Sequence, residues 1–247
     1  MIDNFSDKSK EYALYRPSYP REAIEFLIAL VEEKKQAWDC GTGNGQFAVE
    51  LAEYFDRVWA TDLSANQIKN AVPHDRITYK VEQAENAAFP ENSFDLISVA
   101  QAIHWFDFDG FYPAVKKVLK PEGIFVAIGY STIQIPPHLN EIIHHFYTEV
   151  VGKYWDKERR HIDAGYQTIP FPFREIETPA FEIELHWTFE QLIGYLNTWS
   201  SVKHYISQNR ENPVDIIQEK LKNAWGGTEK IKVIFPIILR VGKKGKA

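Results

Sequence analysis

The sequence predicts an α/β fold, a mostly parallel sheet with helices on both faces. Three observations carry this expectation. Strand and helix patterns alternate through the first half, a glycine-rich turn follows the first strand and opens a helix, and the second strand ends on an acid. Alternation of this kind implies parallel βαβ units joined by right-handed crossovers.

Residues 20–33 read as a helix, because Ala23, Ile24, Leu27, Leu30 and Val31 form one stripe and Pro20 suits a first turn. Residues 35–39 form a short strand, and 45–55 a helix with Phe47, Leu51 and Phe55 on one face. A strand over 57–61 leads to Ser64-Ala65-Asn66-Gln67, which has the form of a capping box. Strands are expected over 77–81, 95–100 and 124–130, with a helix over 108–119 and a turn at Lys120-Pro121-Glu122-Gly123. The second half breaks the alternation. Helices are expected over 138–151, from Thr188 to about Tyr205, and over 213–224, with strands over 181–187 and 230–241. Pro236 inside the last strand calls for an edge position or a bulge.

A chain of 247 residues with 45% hydrophobic and 25% charged residues is long enough for one well-buried core. The expectation is one domain over 1–247, divided into an N-terminal lid segment (1–20), a cofactor-binding core (35–130) and acceptor-side helices with closing strands (131–247). A net charge of −6 argues against a nucleic-acid backbone as partner. The single cysteine, Cys40, rules out an intrachain disulfide and a thiolate zinc cluster, and no metal site is expected. The start of the chain is polar and no apolar run approaches a membrane span, so a cytoplasmic protein without a membrane partner is expected, and no obligate protein partner is evident.

The informative stretch is Asp39-Cys40-Gly41-Thr42-Gly43-Asn44-Gly45, where glycines allow a tight turn and close approach of a ligand. A dinucleotide fingerprint would need glycine at position 46, which is Gln46 here, and Asp39 would repel a pyrophosphate. S-adenosylmethionine (SAM) carries an ammonium and a sulfonium instead, so a carboxylate beside it is favourable. Asp62, about 20 residues beyond the turn, is placed to accept from both ribose hydroxyls, although it can also serve only as a helix cap. Leu63 would press on the adenine. Glu85 and the backbone at Ala84 are candidates for reading the adenine amino edge, unless Glu85 is a solvated loop carboxylate.

Asp39-x-Gly41-x-Gly43-x-Gly45, Asp62, Ala84-Glu85, Phe94-Asp95-Leu96-Ile97 and Lys120-Pro121-Glu122-Gly123 resemble the successive motifs of class I SAM-dependent methyltransferases, of the methyltransferase type 11-like kind. The resemblance covers roughly residues 35–130. Three further segments resemble the subgroup containing fungal trans-aconitate methyltransferase: Tyr15-Arg16-Pro17-Ser18-Tyr19-Pro20, the run from Ala100 to Phe106, and Tyr195-Leu196-Asn197-Thr198-Trp199-Ser200. The family implies a Rossmann-like seven-stranded sheet whose last strand is antiparallel, a role suited to 230–241. It also implies SAM as cofactor and methyl transfer to a small-molecule acceptor, with a carboxylic acid as the leading candidate. Trp38 departs from the aliphatic residue usual at its position, which a strand tolerates.

Ligands of open α/β sheets sit at the carboxyl ends of the strands. Gln101, just beyond the fourth strand, is assigned to the cofactor. His104 is the candidate catalytic and acceptor-contacting residue, as donor, cation or base, against a role in ordering its own loop. Trp105 either walls the acceptor pocket or packs. Arg16 is the candidate for forking onto a carboxylate of cofactor or acceptor, with Tyr12, Tyr15 and Tyr19 nearby, and Trp199 is a candidate cap on the acceptor. The competing readings are a SAM-binding regulatory protein without catalysis and an NAD-dependent oxidoreductase.

Overall fold

The alternation of the first half folds into parallel strands in a computed structural model that describes residues 17–245. Arg16, Tyr12 and Tyr15 lie outside the described residues. Helix α1 is Arg21–Ala29, followed by β1 Gln36–Cys40, α2 Gln46–Ala52, β2 Arg57–Asp62, α3 Ala65–Lys69, β3 Ile77–Val81 and β4 Phe94–Ala100. Then come α4 Phe108–Val118, β5 Leu119–Tyr130, α5 Pro137–His145, α6 Arg159–Asp163, β6 Arg174–Ile176 and β7 Glu182–Trp187. Helices α7 Phe189–Asn197, α8 Ser200–Asn209 and α9 Val214–Trp225 precede β8 Ile231–Lys243.

The described residues form an eight-stranded sheet in the order β3-β2-β1-β4-β5-β8-β6, with β7 also paired to β8. The first five strands run parallel, and β8 lies antiparallel beside β5. The short strand β6 was not expected from the pattern. It is three residues long, Arg174–Ile176, too short to show a period.

Side-chain alternation divides the sheet into two faces. Trp38, Ile97, Phe125 and Ala127 point into one buried cluster, while Ala37, Leu96, Ile124 and Val126 point into the other. Helix α1 adds Ile24, Leu27 and Ile28 to the second cluster. Each such side chain contributes about 1.5–3 kcal/mol when fully buried. A third cluster joins α5, α7, α8 and α9 to β7 and β8 through Phe146, Trp187, Trp199, Trp225 and Phe235.

Several local expectations take a more specific form. Residues 120–123 are bypassed by the ladder, which pairs Phe94 with Leu119 and then Leu96 with Ile124, so the expected turn is an irregularity within β5. Pro236 is the last residue of β8 paired with β7, and pairing with β5 starts at Ile237, so its missing donor falls at the hand-over. The helix expected over 188–205 is two helices. Thr188 opens the first with a complete capping box. The Thr198 hydroxyl then bonds the Tyr195 carbonyl at 2.6 Å, and Trp199 turns extended at φ −65°, ψ 136°. That break lets the Trp199 indole stack on Phe146, with ring centroids 5.8 Å apart. The helix expected over 138–151 widens after His145 into a single π turn, Phe146–Val150.

Candidate active site

The carboxyl ends of β1, β2 and β4 converge on the glycine turn. Gly41, Gly43 and Gly45 all have positive φ, at 70°, 57° and 86°. The turn is held by Gly41 and Thr42 amides donating to the Thr61 carbonyl at 2.8 and 2.9 Å. A Cβ on Gly45 would clash with the Tyr79 hydroxyl, so any other residue there would have to displace that ring as well as hold a positive φ. A Cβ on Gly43 would meet nothing within 4 Å, which leaves its backbone facing open space.

Asp39 lies under this turn with no exposed surface. It accepts from the Thr42 hydroxyl at 2.6 Å and the Ser98 hydroxyl at 2.8 Å. Burial pushes its carboxyl up to about 6, and the Asp62 charge adds to the rise while the two hydroxyls oppose it. Asp62 at the end of β2 accepts the Gly43 amide at 2.8 Å on one oxygen and the Ser64 amide at 2.8 Å on the other. Ser64 in turn caps α3 through the Gln67 amide at 3.3 Å. The capping and ribose roles of Asp62 are therefore compatible, because a carboxylate offers roughly four acceptor sites. Leu63 stands 47% exposed beside it. Ala84 is buried at the start of a short 3₁₀ turn, Ala84–Asn86. Glu85 accepts the Asp107 amide at 2.9 Å with Oε1, whereas Oε2 is sealed from solvent without a partner among the described residues.

A second concave site adjoins the end of β4. Gln101 adopts φ 53°, its amide bonds the Ile128 carbonyl at 2.8 Å, and its side chain donates to the Tyr130 carbonyl at 3.2 Å. A non-glycine residue at such an angle stores strain of order 1–3 kcal/mol, which the surrounding bonds must overcome. Gln101, His104, Trp105, Trp155, Arg159 and Trp199 are among the residues lining the pocket. Gln101, assigned to the cofactor from sequence, lines this pocket. Tyr19, expected on the acceptor side, is not in the lining. Its ring packs edge-on against Phe47 at 5.4 Å, above the helix that follows the glycine turn, with its hydroxyl 3.5 Å from the Ile128 carbonyl.

His104 is only 6% exposed, stacks on Tyr166 and lies against Trp105. Burial, aided by the charges of Arg159 and His161, pushes its pKa down to about 3. The imidazole is therefore neutral at ordinary pH, and its Nδ1 is buried without a hydrogen-bond partner among the described residues.

Sequence reasoning missed Arg159. Its Nε donates to the Tyr147 hydroxyl at 3.0 Å and to Asp163 at 3.3 Å, and one Nη donates to Thr132 at 3.1 Å. The guanidinium stacks over Trp155 at 4.8 Å and Tyr147 at 5.5 Å. Its Nε edge is thus anchored while Nη1 has no acceptor among the described residues. The run Lys157-Glu158-Arg159-Arg160 contains no signal that would single out Arg159 over Arg160, which is exposed.

The methyltransferase domain family matches residues 38–127, the segment that runs from within β1 through the glycine turn into β5. A Dictyostelium discoideum protein named as a methyltransferase is 32% identical over 98% of this chain and 95% of its own length. The chain belongs to the class I SAM-dependent methyltransferases. A solved structure from Anaeromyxobacter dehalogenans, named as a type II methyltransferase, is similar to this methyltransferase with a TM-score of 0.87 and 37% identity. The match covers 94% of this chain and 100% of that one. A Mycobacterium tuberculosis protein, named as an uncharacterized methyltransferase, is 26% identical over 88% of this chain and 85% of its own.

As a class I methyltransferase the protein uses S-adenosylmethionine, and the oxidoreductase reading falls. The residues present fit that cofactor. Asp39 and Asp62 together make a negative site suited to a cationic ligand, the Gly43 backbone faces open space, and Leu63 offers an exposed apolar surface. Among the described residues no helix is long and apolar enough to cross a membrane, and no three or more His, Cys, Asp or Glu side chains are grouped to hold a metal ion.

Proposed function

We propose that this methyltransferase O-methylates a small carboxylic acid, as the resemblance to the trans-aconitate methyltransferase subgroup implies. The observation that carries the reading is the composition of the acceptor pocket, which pairs an anchored arginine with a histidine too weakly basic to take a proton. An amine or hydroxyl acceptor has a proton to lose, and His104, pushed down to about 3, sits roughly four units under neutral pH as a base. A carboxylate is already ionised and needs no base. Arg159, anchored through Tyr147 and Asp163, has the fork geometry to orient it.

When bound, the cofactor supplies an electrophilic methyl group on a sulfonium. The chain's own residues bind, align and exclude water. In this reading Asp62 accepts from the ribose hydroxyls, Leu63 covers the adenine, and Glu85 with the Ala84 backbone reads its amino edge. Asp39 offsets the cofactor's ammonium charge from below, through Thr42 or water, while the backbone of Gly41, Gly43 and Gly45 allows close approach. Gln101, held at its strained angle, separates the two ligands, and Trp105 and Trp199 wall the acceptor. His104 donates a hydrogen bond as a neutral ring and does not act as a base. Alignment of this kind contributes several kcal/mol to the rate.

The test is a panel of small carboxylic acids, amines and phenols, with the demethylated cofactor and the methylated product both quantified. The expected product is an ester, identified by its lability to mild base. Turnover of amines or phenols with every carboxylic acid inert would overturn the carboxylate assignment.

A further inference from the structure

The acceptor pocket carries a carboxylate as well as a guanidinium. Asp156, three positions before Arg159, lines the same cavity, and its side chain is 19% exposed. Its Oδ2 is sealed from solvent and has no hydrogen-bond partner among the described residues. Among the described residues its Oδ1 faces the His204 ring at 4.0 Å, too far for a hydrogen bond. Arg159 makes no ion pair with it among the described residues and bonds Tyr147, Asp163 and Thr132 instead.

A buried acceptor without a donor costs free energy, and a charged one costs more. Arg159 and Asp156 thus face one cavity with opposite charges that do not pair with each other. A ligand fits this lining when it presents the complementary pattern, an anion beside a hydrogen-bond donor.

We propose that Asp156 is a specificity-determining residue that accepts a hydrogen bond from a donor group on the acceptor, so that the acceptor is a hydroxy- or amino-substituted carboxylic acid and not a bare one. The inference rests on the carboxylate reading above. A hydroxyl and an ammonium share the chemistry Asp156 recognises, and variants distinguish them. In Asp156→Asn the amide oxygen would still accept from a hydroxyl but would not attract an ammonium. In Asp156→Leu the side chain would do neither.

The experiment measures kcat/KM with saturating SAM for matched sets of bare, hydroxy and amino acids of equal carbon number. It uses the wild type, Asp156→Asn and Asp156→Leu, with circular dichroism and SAM titration confirming that each variant folds and binds cofactor. For the wild type a preference of ten-fold or more for the hydroxy or amino acid over the bare one is expected. In Asp156→Leu that preference should collapse to within about two-fold, leaving a site that reads the anion alone. If Asp156→Asn keeps the preference, the donor is a hydroxyl; if it loses the preference, the donor is an ammonium. Equal wild-type turnover of bare and substituted acids, or a preference unchanged in Asp156→Leu, overturns the proposal and leaves the carboxylate reading standing. Failure of every acid beside turnover of amines or phenols removes both.

Discussion

Replacing Asp62 with alanine tests the cofactor geometry most directly. Each of its oxygens already accepts one backbone amide at 2.8 Å, from Gly43 and from Ser64. A carboxylate has roughly four acceptor sites, enough to take hydrogen bonds from two ribose hydroxyls beside these amides. Hydrogen bonds to a charged group contribute about 1.5–3 kcal/mol each. The low end of that range gives about 3 kcal/mol for the pair, which is roughly a 100-fold rise in Kd. The same substitution strips two amides of their acceptors, at about 1–3 kcal/mol each where they stay dry, so the melting temperature should fall as well. Isothermal titration with SAM and its demethylated product, performed well below the variant's melting temperature, separates the two effects. Asp62→Asn retains one acceptor oxygen and should weaken binding about ten-fold. A folded Asp62→Ala that binds within three-fold of the wild type would show that the ribose is held elsewhere and that Asp62 serves only the turn.

Gly45→Ala should lower stability by about 2–3 kcal/mol, read from the urea midpoint. An αL residue with a Cβ costs about 1–2 kcal/mol, and displacing Tyr79 breaks its bond to the Val72 carbonyl; a loss under about 0.5 kcal/mol would contradict the close approach of Tyr79 to this turn. Methyl transfer to a carboxylate should show a flat kcat between about pH 7 and 9. A ten-fold rise per unit with an inflection in that window would reveal a base and sink the carboxylate assignment. Because the folded pKa of His104 is depressed from 6.5 to about 3, its neutral ring contributes stability that is complete above the unfolded value and is lost as pH falls toward 3. Asp39 has the opposite sign, since its pKa is raised from 3.8 to about 6 and its contribution is present below 3.8 and gone above 6. The stability difference between wild type and His104→Gln should therefore shift against the wild type by up to about 1.4 kcal/mol per unit of acidification below pH 6.5; parallel curves would mean that His104 is solvated. Arg159→Lys keeps the charge but loses the fork, so KM for the acceptor should rise about ten-fold or more while the Kd of SAM stays constant. An unchanged KM would remove Arg159 from the acceptor site.

The glycine turn and its acids were legible in sequence because their geometry is local. A glycine turn after a buried strand, and an acid at the end of the next, are backbone requirements written in a few adjacent residues, and the structure places Gly41, Gly43, Gly45, Asp39 and Asp62 around one turn. Parallel order followed for the same reason, since strand and helix periods are local and the crossover hand is general. The acceptor side was not legible to the same depth. The sequence pointed to His104, Trp105 and Trp199, but not to Arg159 or Asp156, and it could not show that burial leaves His104 neutral. Those properties depend on how α6 is set against the π turn that carries Tyr147, on the break at Trp199, and on the packing of the helices against β8. Charge, burial and the pairing of Arg159 are sums over neighbours distant in sequence, so residues alike in composition, such as Arg159 and Arg160, separate only when the chain has folded.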